Sequence, residues 1–224
     1  MAAPLSEANT AEASTSTRSA THEPGSAPHR RERADGGRLP LLAPADLTDA
    51  QRRLYDTIVA PPRTTGPFLV VDDDGHLAGP FNALLSAAEL GQSVQAVGAA
   101  LRFSGKLSDR IRELCICLVA AELDSDYEWY AHSRVAVTVG VTTAELHELA
   151  AGTLPESLAP AETAALVLAL ALVRGSRVSS TVYSAALTHY GAPGVVELTV
   201  LIGYYRLLAG LLAVADVPAP DTSL

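Results

Sequence analysis

Cysteine is nearly absent from this sequence, with two thiols among 224 residues. Cys115 and Cys117 lie two residues apart, a spacing that turns them about 200° away from each other on a helix, so they cannot bridge. A disulfide framework is excluded, and a reducing compartment is the expectation. Positive charge is also scarce: 16 Lys and Arg against 25 Asp and Glu leave a net charge of −9, which argues against nucleic acid as a partner. No apolar run reaches the roughly 18 residues of a membrane span without interruption. The nearest approach, around 195–215, is broken by Glu197, Tyr204, Tyr205 and Arg206, so no membrane span is expected. The N-terminus has neither a charged n-region nor an apolar h-region, and the expected location is cytoplasmic.

Apolar residues are plentiful, at 48% against 18% charged, and 224 residues suit one domain with a substantial core. Residues 1–37 are Ala, Ser, Thr, Glu, Arg, Pro and Gly without periodicity, and read as a disordered tail. His22 and His29 lie there as solvated residues, and Glu32 interrupts the basic cluster of Arg30, Arg31 and Arg33. Residues 38–220 form the expected domain.

Helical signals recur along it. Thr48 or Asp46 caps a helix to about Val59, stopped by Pro61-Pro62. Phe68–Val71 and His76–Ala78 flank an Asp-Gly turn and predict a minor hairpin. The run Asp72-Asp73-Asp74 lacks the carboxylate spacing of a calcium loop and reads as the turn. Short helices follow at 81–88 and from Gly91 to Phe103, the latter burying Val94, Val97 and Leu101. Thr142 and Glu145 make a capping box. An Ala/Leu/Val helix covers 161–173. Another, capped by Ser179 or Ser180, runs to Gly191, and a long apolar helix begins at Val195. His147 reads as a surface residue and His189 as a residue favoured by a helix C-terminus. The class is all-α.

The chemistry concentrates between Arg110 and Gly140. A first helix, about 108–123, is apolar nearly all round and is expected at the centre of the fold. Glu113 sits on its Ile116–Cys117–Ala120 side, where a carboxylate needs a partner or a raised pKa. A second helix, capped by Ser125 or Asp126, carries Glu128, His132, Val135, Ala136 and Val139 on one face. A Glu-x-x-x-His pair can be a simple i,i+4 ion pair. Three ionisable groups on core faces of consecutive helices weigh toward a site instead. Glu and His can bind zinc, but a second His at useful spacing is lacking, and no metal is expected.

Arg-Glu-Leu at 112–114, Tyr-Glu-Trp-Tyr-Ala-His at 127–132, Gly140 before a Thr-capped helix, Gly-Pro-Phe-Asn-Ala-Leu-Leu at 79–85 and the Gly-Tyr-Tyr at 203–205 together resemble the carboxymuconolactone decarboxylase family, which includes the alkylhydroperoxidase D-like proteins. The resemblance spans roughly 47–220. It implies an alkylhydroperoxidase D-like helical bundle that assembles as a homo-oligomer, most simply a trimer. Peroxidase members carry Glu, then Cys-x-x-Cys, then His. Glu113 and His132 match the outer positions, whereas Ser125 and Glu128 stand where the cysteines would. The resemblance therefore implies the decarboxylase-like branch: a lyase without a cofactor, doing acid/base chemistry on a small organic or lactone-type acid. Isomerisation, dehydration or cyclisation would use the same groups. His132 is the expected acid/base, with Glu128 and Glu113 orienting it or moving the proton. Tyr127, Trp129 and Tyr204 are expected to line the site, and Arg206 to bind an anionic group. The rival readings are a thiol peroxidase using Cys117 and a non-catalytic binding or assembly module on the same fold.

Overall fold

A computed structural model describes residues 34–175 and 177–220. Among them lie eight α-helices: α1 Asp49–Val59, α2 Pro80–Leu85, α3 Ala88–Phe103, α4 Asp109–Glu122, α5 Asp126–Thr138, α6 Thr143–Ala150, α7 Pro160–Val173 and α8 Ser180–Ala215. Short 3-10 turns occupy Pro44–Asp46 and Arg63–Thr65.

α4 is the centre, as its all-round apolar pattern requires. Every residue from 112 to 120 is buried, and α4 packs against α5, α6, α7 and α8. Ser108 caps it by accepting from the Ile111 N–H at 3.3 Å. A three-residue turn with Asp124 at φ 49° reverses the chain into α5. No side-chain cap forms at Ser125, contrary to expectation. Ser125 is buried, and its carbonyl accepts from the Trp129 N–H at 2.9 Å.

α8 is continuous by hydrogen bonding but kinks at Gly191, whose φ of 63° no L-residue adopts easily. The expected end of one helix and start of the next are therefore the two arms of this kink. By length and composition α8 could cross a bilayer, and half of its most apolar stretch is buried in the bundle. Glu197 on α8 accepts from the Lys106 and Leu107 N–H groups at 2.8 and 3.1 Å, tying down the α3–α4 loop.

The hairpin expected near the N-terminal end is reduced to a single antiparallel bridge between Val71 and Leu77. Asp72 is the reason. Its Oδ1 takes the N–H groups of Asp74 and His76 at 3.0 and 2.8 Å, closing the turn on itself rather than extending a ladder. Its Oδ2 accepts from the Ala34 N–H at 3.1 Å. Residues 34–37, counted with the tail on composition, are thus joined to the body, and the rest of the tail, 1–33, lies outside the described residues.

α3 turns inward a face shifted from the expected one. Leu101 is buried as expected and Val94 is half-buried, but Val97 is 41% exposed, and Gly91, Gln95 and Gly98 are buried in its place. Gly98 decides this. A Cβ there would lie 2.3 Å from the Tyr204 hydroxyl oxygen, so only glycine lets that phenol abut the helix.

Arg110 at the start of α4 fastens the lower half of the bundle. Its guanidinium meets Glu145 at 2.6 Å and Glu162 at 2.7 Å. Glu145 also accepts from the Thr142 N–H at 2.8 Å and the Ser157 hydroxyl at 2.8 Å. The hydrogen bond from Arg110, opposed by burial and helped by those of Thr142 and Ser157, pulls the Glu145 carboxyl from 4.5 to about 2. A carboxyl depressed on folding stabilises the fold above its ordinary pKa and loses that contribution as pH falls through the lowered value. Glu145→Gln should cost about 2 kcal/mol at neutral pH. The deficit against wild type should shrink as pH drops from 4.5 toward about 2. Urea unfolding of both proteins across that range measures it, and a pH-independent deficit would show that the charge is not what Glu145 contributes.

Candidate functional site

The turn between α4 and α5 sets Glu113 against His132. Both lie on inward faces, and the carboxylate Oε2 stands 2.6 Å from the imidazole Nδ1. Glu113 is fully buried. Its other oxygen meets the Arg112 Nε at 3.3 Å, and Arg112 in turn pairs with Asp109 at 2.9 Å. On the far side of the ring, Nε2 lies 3.5 Å from Glu128 Oε2, one helical turn earlier on α5. The imidazole is therefore bracketed by a carboxyl group on each nitrogen. The edge of the Tyr205 ring packs on it with centroids 4.9 Å apart.

The two carboxyls are shifted in opposite directions. Burial alone would lift Glu113, but the charge and hydrogen bond of His132, with Arg102 and Arg112 behind them, hold it below its ordinary value. It is a carboxylate fixing the ring through an Nδ1–H bond. Burial lifts Glu128 above its ordinary value, with the Glu113 charge adding to it and His132 and Arg102 only partly opposing. One carboxylate thus orients the ring, while the other group beside Nε2 is shifted toward its protonated form.

This arrangement faces a small cavity of about 30 Å³. His132, Glu128, Tyr127, Tyr204 and Tyr205 contribute to its wall, with Ala131, Leu208, Pro80, Phe81, Phe68 and Gly98. Glu113 stands behind the imidazole and does not line it. Tyr127 reaches the wall because Gly79, at φ 60°, leaves room for its ring, and its hydroxyl donates to the Leu69 carbonyl at 3.2 Å. Burial pushes the Tyr204 hydroxyl up to about 12, so it meets the cavity as a neutral phenol.

Two expected residues are elsewhere. Trp129 is half-buried against the hydrophobic core and does not line the cavity. Arg206 is exposed and donates to the Leu172 carbonyl at 3.0 Å. It sits one position past Tyr205, about 100° further round α8, which turns it away from the wall. The cavity's cations are instead Arg63, from the 3-10 turn, and Arg102, from the last turn of α3. Neither carries a local signal. Arg63 follows a proline pair and Arg102 ends a helix, where a basic residue is commonplace.

Both cysteines are fully buried. Burial pushes the Cys115 thiol to about 12 and, with the Glu113 charge nearby, lifts Cys117 further. Neither is placed to act as a thiolate. A possible ligand cluster of Asp72, Asp74 and His76 has its central carboxylate already occupied by the turn.

Residues 88–171 match the model of the Carboxymuconolactone decarboxylase family. No curated protein matches the sequence significantly. Among solved structures, the chain is similar to an alkylhydroperoxidase AhpD core, an uncharacterised peroxidase-related protein from Ralstonia eutropha JMP134. The TM-score is 0.65 at 16% identity, covering 83% of this chain and 92% of that one. It is also similar to the debrominase Bmp8, both as the apo protein, with TM-score 0.54 and 14% identity over 62% of this chain and 76% of that one, and as a cysteine-to-alanine variant with 2,3,4-tribromopyrrole, with TM-score 0.53 and 14% identity over 61% and 75%. The chain is thus similar to the carboxymuconolactone decarboxylase family over residues 88–171, and its fold is that of the alkylhydroperoxidase AhpD core.

Proposed function

We propose that this protein is a cofactor-independent enzyme of the decarboxylase-like branch, moving a proton at a carbon of a small organic or lactone-type acid. The observation that carries the reading is the line Glu113–His132–Glu128, a carboxylate, an imidazole and a carboxyl group in sequence, the last two at the wall of a cavity. In a decarboxylation the C–C bond to the departing carboxylate breaks, its electron pair stays on the carbon, and carbon dioxide leaves. The proton that quenches the carbanion comes from Glu128, directly or through Nε2 of His132, while Glu113 stabilises the imidazole whenever it carries charge. Isomerisation or dehydration would use the same donor and acceptor in another order. The buried thiols at Cys115 and Cys117 speak against peroxidase chemistry.

On this reading His132→Gln lowers turnover about 10²- to 10⁴-fold. His132→Ala also destabilises, by about 3–5 kcal/mol, because it orphans the buried Glu113 carboxylate. Turnover and melting temperature measured on the same samples separate the two effects. Undiminished turnover per folded His132→Gln molecule would end the catalytic assignment.

Glu128 gives a test that needs no substrate. A carboxyl raised on folding contributes fully below its ordinary pKa, and that contribution is lost as pH rises through the raised value. Glu113 has the opposite sign and is lost as pH falls through its lowered value. Glu128→Gln is neutral at every pH, so its stability should gain on wild type as pH rises above 4.5. Denaturant midpoints of the two proteins across that rise provide the comparison, and parallel curves would mean Glu128 is ionised in the folded state.

The proposal extends to assembly as a homotrimer. Val196, Val200, Gly203, Leu207, Gly210 and Val214 recur at steps of three and four along the outside of α8, with Val196 62% and Val214 75% exposed. A continuous apolar stripe with two glycines suits close helix packing between copies. Val200→Glu with Leu207→Glu should dissociate the assembly in light scattering. A wild-type mass of one chain at micromolar concentration would refute it.

A further inference from the structure

The cavity has a second end, and its chemistry differs from that of the His132 end. Arg63 is only 5% exposed. Its guanidinium donates to the Gln95 side chain at 3.2 Å and lies over the Phe81 ring at 5.1 Å and the Phe103 ring at 6.0 Å. Arg102 is half-buried and lies over Phe68 at 5.7 Å and Phe103 at 5.8 Å. The two cations thus share Phe103, and among the described residues neither has a carboxylate within ion-pair distance. A buried cation without a counter-ion is costly, and a pair of them doubly so. The strain registers on Arg63, which burial and the repulsion of Arg102 pull below its ordinary value. Protein carboxylates are not lacking nearby, yet Glu113 and Glu128 each face a nitrogen of His132, at 2.6 and 3.5 Å. Tyr204, on the same wall, makes no hydrogen bond to another described residue through its hydroxyl.

We infer that Arg63 and Arg102 form an anion subsite that grips a planar carboxylate on the ligand, with Tyr204 as an additional donor. The aromatic rings lie against the faces of the guanidiniums, and apart from the Arg63 N–H given to Gln95 their edges are available; a guanidinium edge matches a planar carboxylate. Phe68 and Phe81 suit a flat ring attached to it.

The subsite also says which carboxylate this is. Losing carbon dioxide drains negative charge from the departing group, so two guanidiniums holding that group would stabilise the ground state over the transition state and slow the reaction. The gripped carboxylate is therefore the one that is retained. The reacting carbon lies at the other end, beside Nε2 of His132 and Glu128, and the substrate is bifunctional: a retained acid at one end and the reacting group at the other. This placement of the reacting end rests on the acid/base reading above, whereas the anion subsite does not.

The test uses benzoate as the probe and benzamide as its neutral isostere, with full-length protein and titration calorimetry at neutral pH. Benzoate should bind and benzamide should bind at least about ten-fold more weakly, as expected for removing a charge-assisted pair. Arg102→Gln, at a half-buried site, should weaken benzoate about ten-fold while leaving benzamide unchanged, and Arg63→Gln should do the same where it folds. His132→Gln should leave benzoate affinity intact. Equal binding of the two probes, or undiminished benzoate binding in Arg102→Gln, would overturn the subsite. Loss of benzoate binding in His132→Gln alone would place the anion at the imidazole and overturn it too, leaving the acid/base reading standing. Conversely, a catalytically unaffected His132→Gln that still binds benzoate through the arginines would sink that reading and keep the subsite.

Discussion

The 2.6 Å contact between Glu113 and His132 is the constraint around which the bundle is arranged. A carboxylate with no solvent exposure survives only if its partner is fixed, and here the partner comes from the next helix. α4 and α5 must therefore keep one crossing geometry, and the αL turn at Asp124 and the flanking α7 and α8 hold it. Burying a charged pair rarely adds net stability compared with an apolar core. Such an arrangement at the centre of the most buried helix is therefore not explained by folding stability alone.

Polarity around His132 is graded. Behind it, Glu113 leans on Arg112 and Asp109, a chain leading toward solvent. In front, Glu128 has the imidazole at 3.5 Å and the cavity. Two glutamates of the same intrinsic acidity are shifted in opposite directions by these surroundings.

The helices were legible because their signals are local. Ser108 and the Thr142–Glu145 capping box stop and start chains within four residues, and the apolar run of α4 can be satisfied only by burial. The proximity of Glu113, Glu128 and His132 was legible for the same reason: 128 and 132 share a face by spacing, and 113 lies on an apolar surface. What the sequence did not disclose depends on tertiary approach. Gly98 decides which face of α3 turns inward, through a phenol more than 100 residues away in the chain. Asp72 spends its oxygens on turn N–H groups and leaves one bridge where a hairpin was expected. Arg63 and Arg102 meet across Phe103 from separate elements, while Arg206, adjacent to a wall residue in sequence, is turned away by one helical step.

α8 presents two surfaces. Tyr204, Tyr205 and Leu208 wall the cavity, and Val196, Val200, Leu207 and Val214 face outward from the same rigid rod. Beyond the kink at Gly191 both surfaces belong to one helical arm. Leu207 of the outer stripe and Leu208 of the wall are consecutive residues, so the outer face and the chamber are built on the same stretch of backbone.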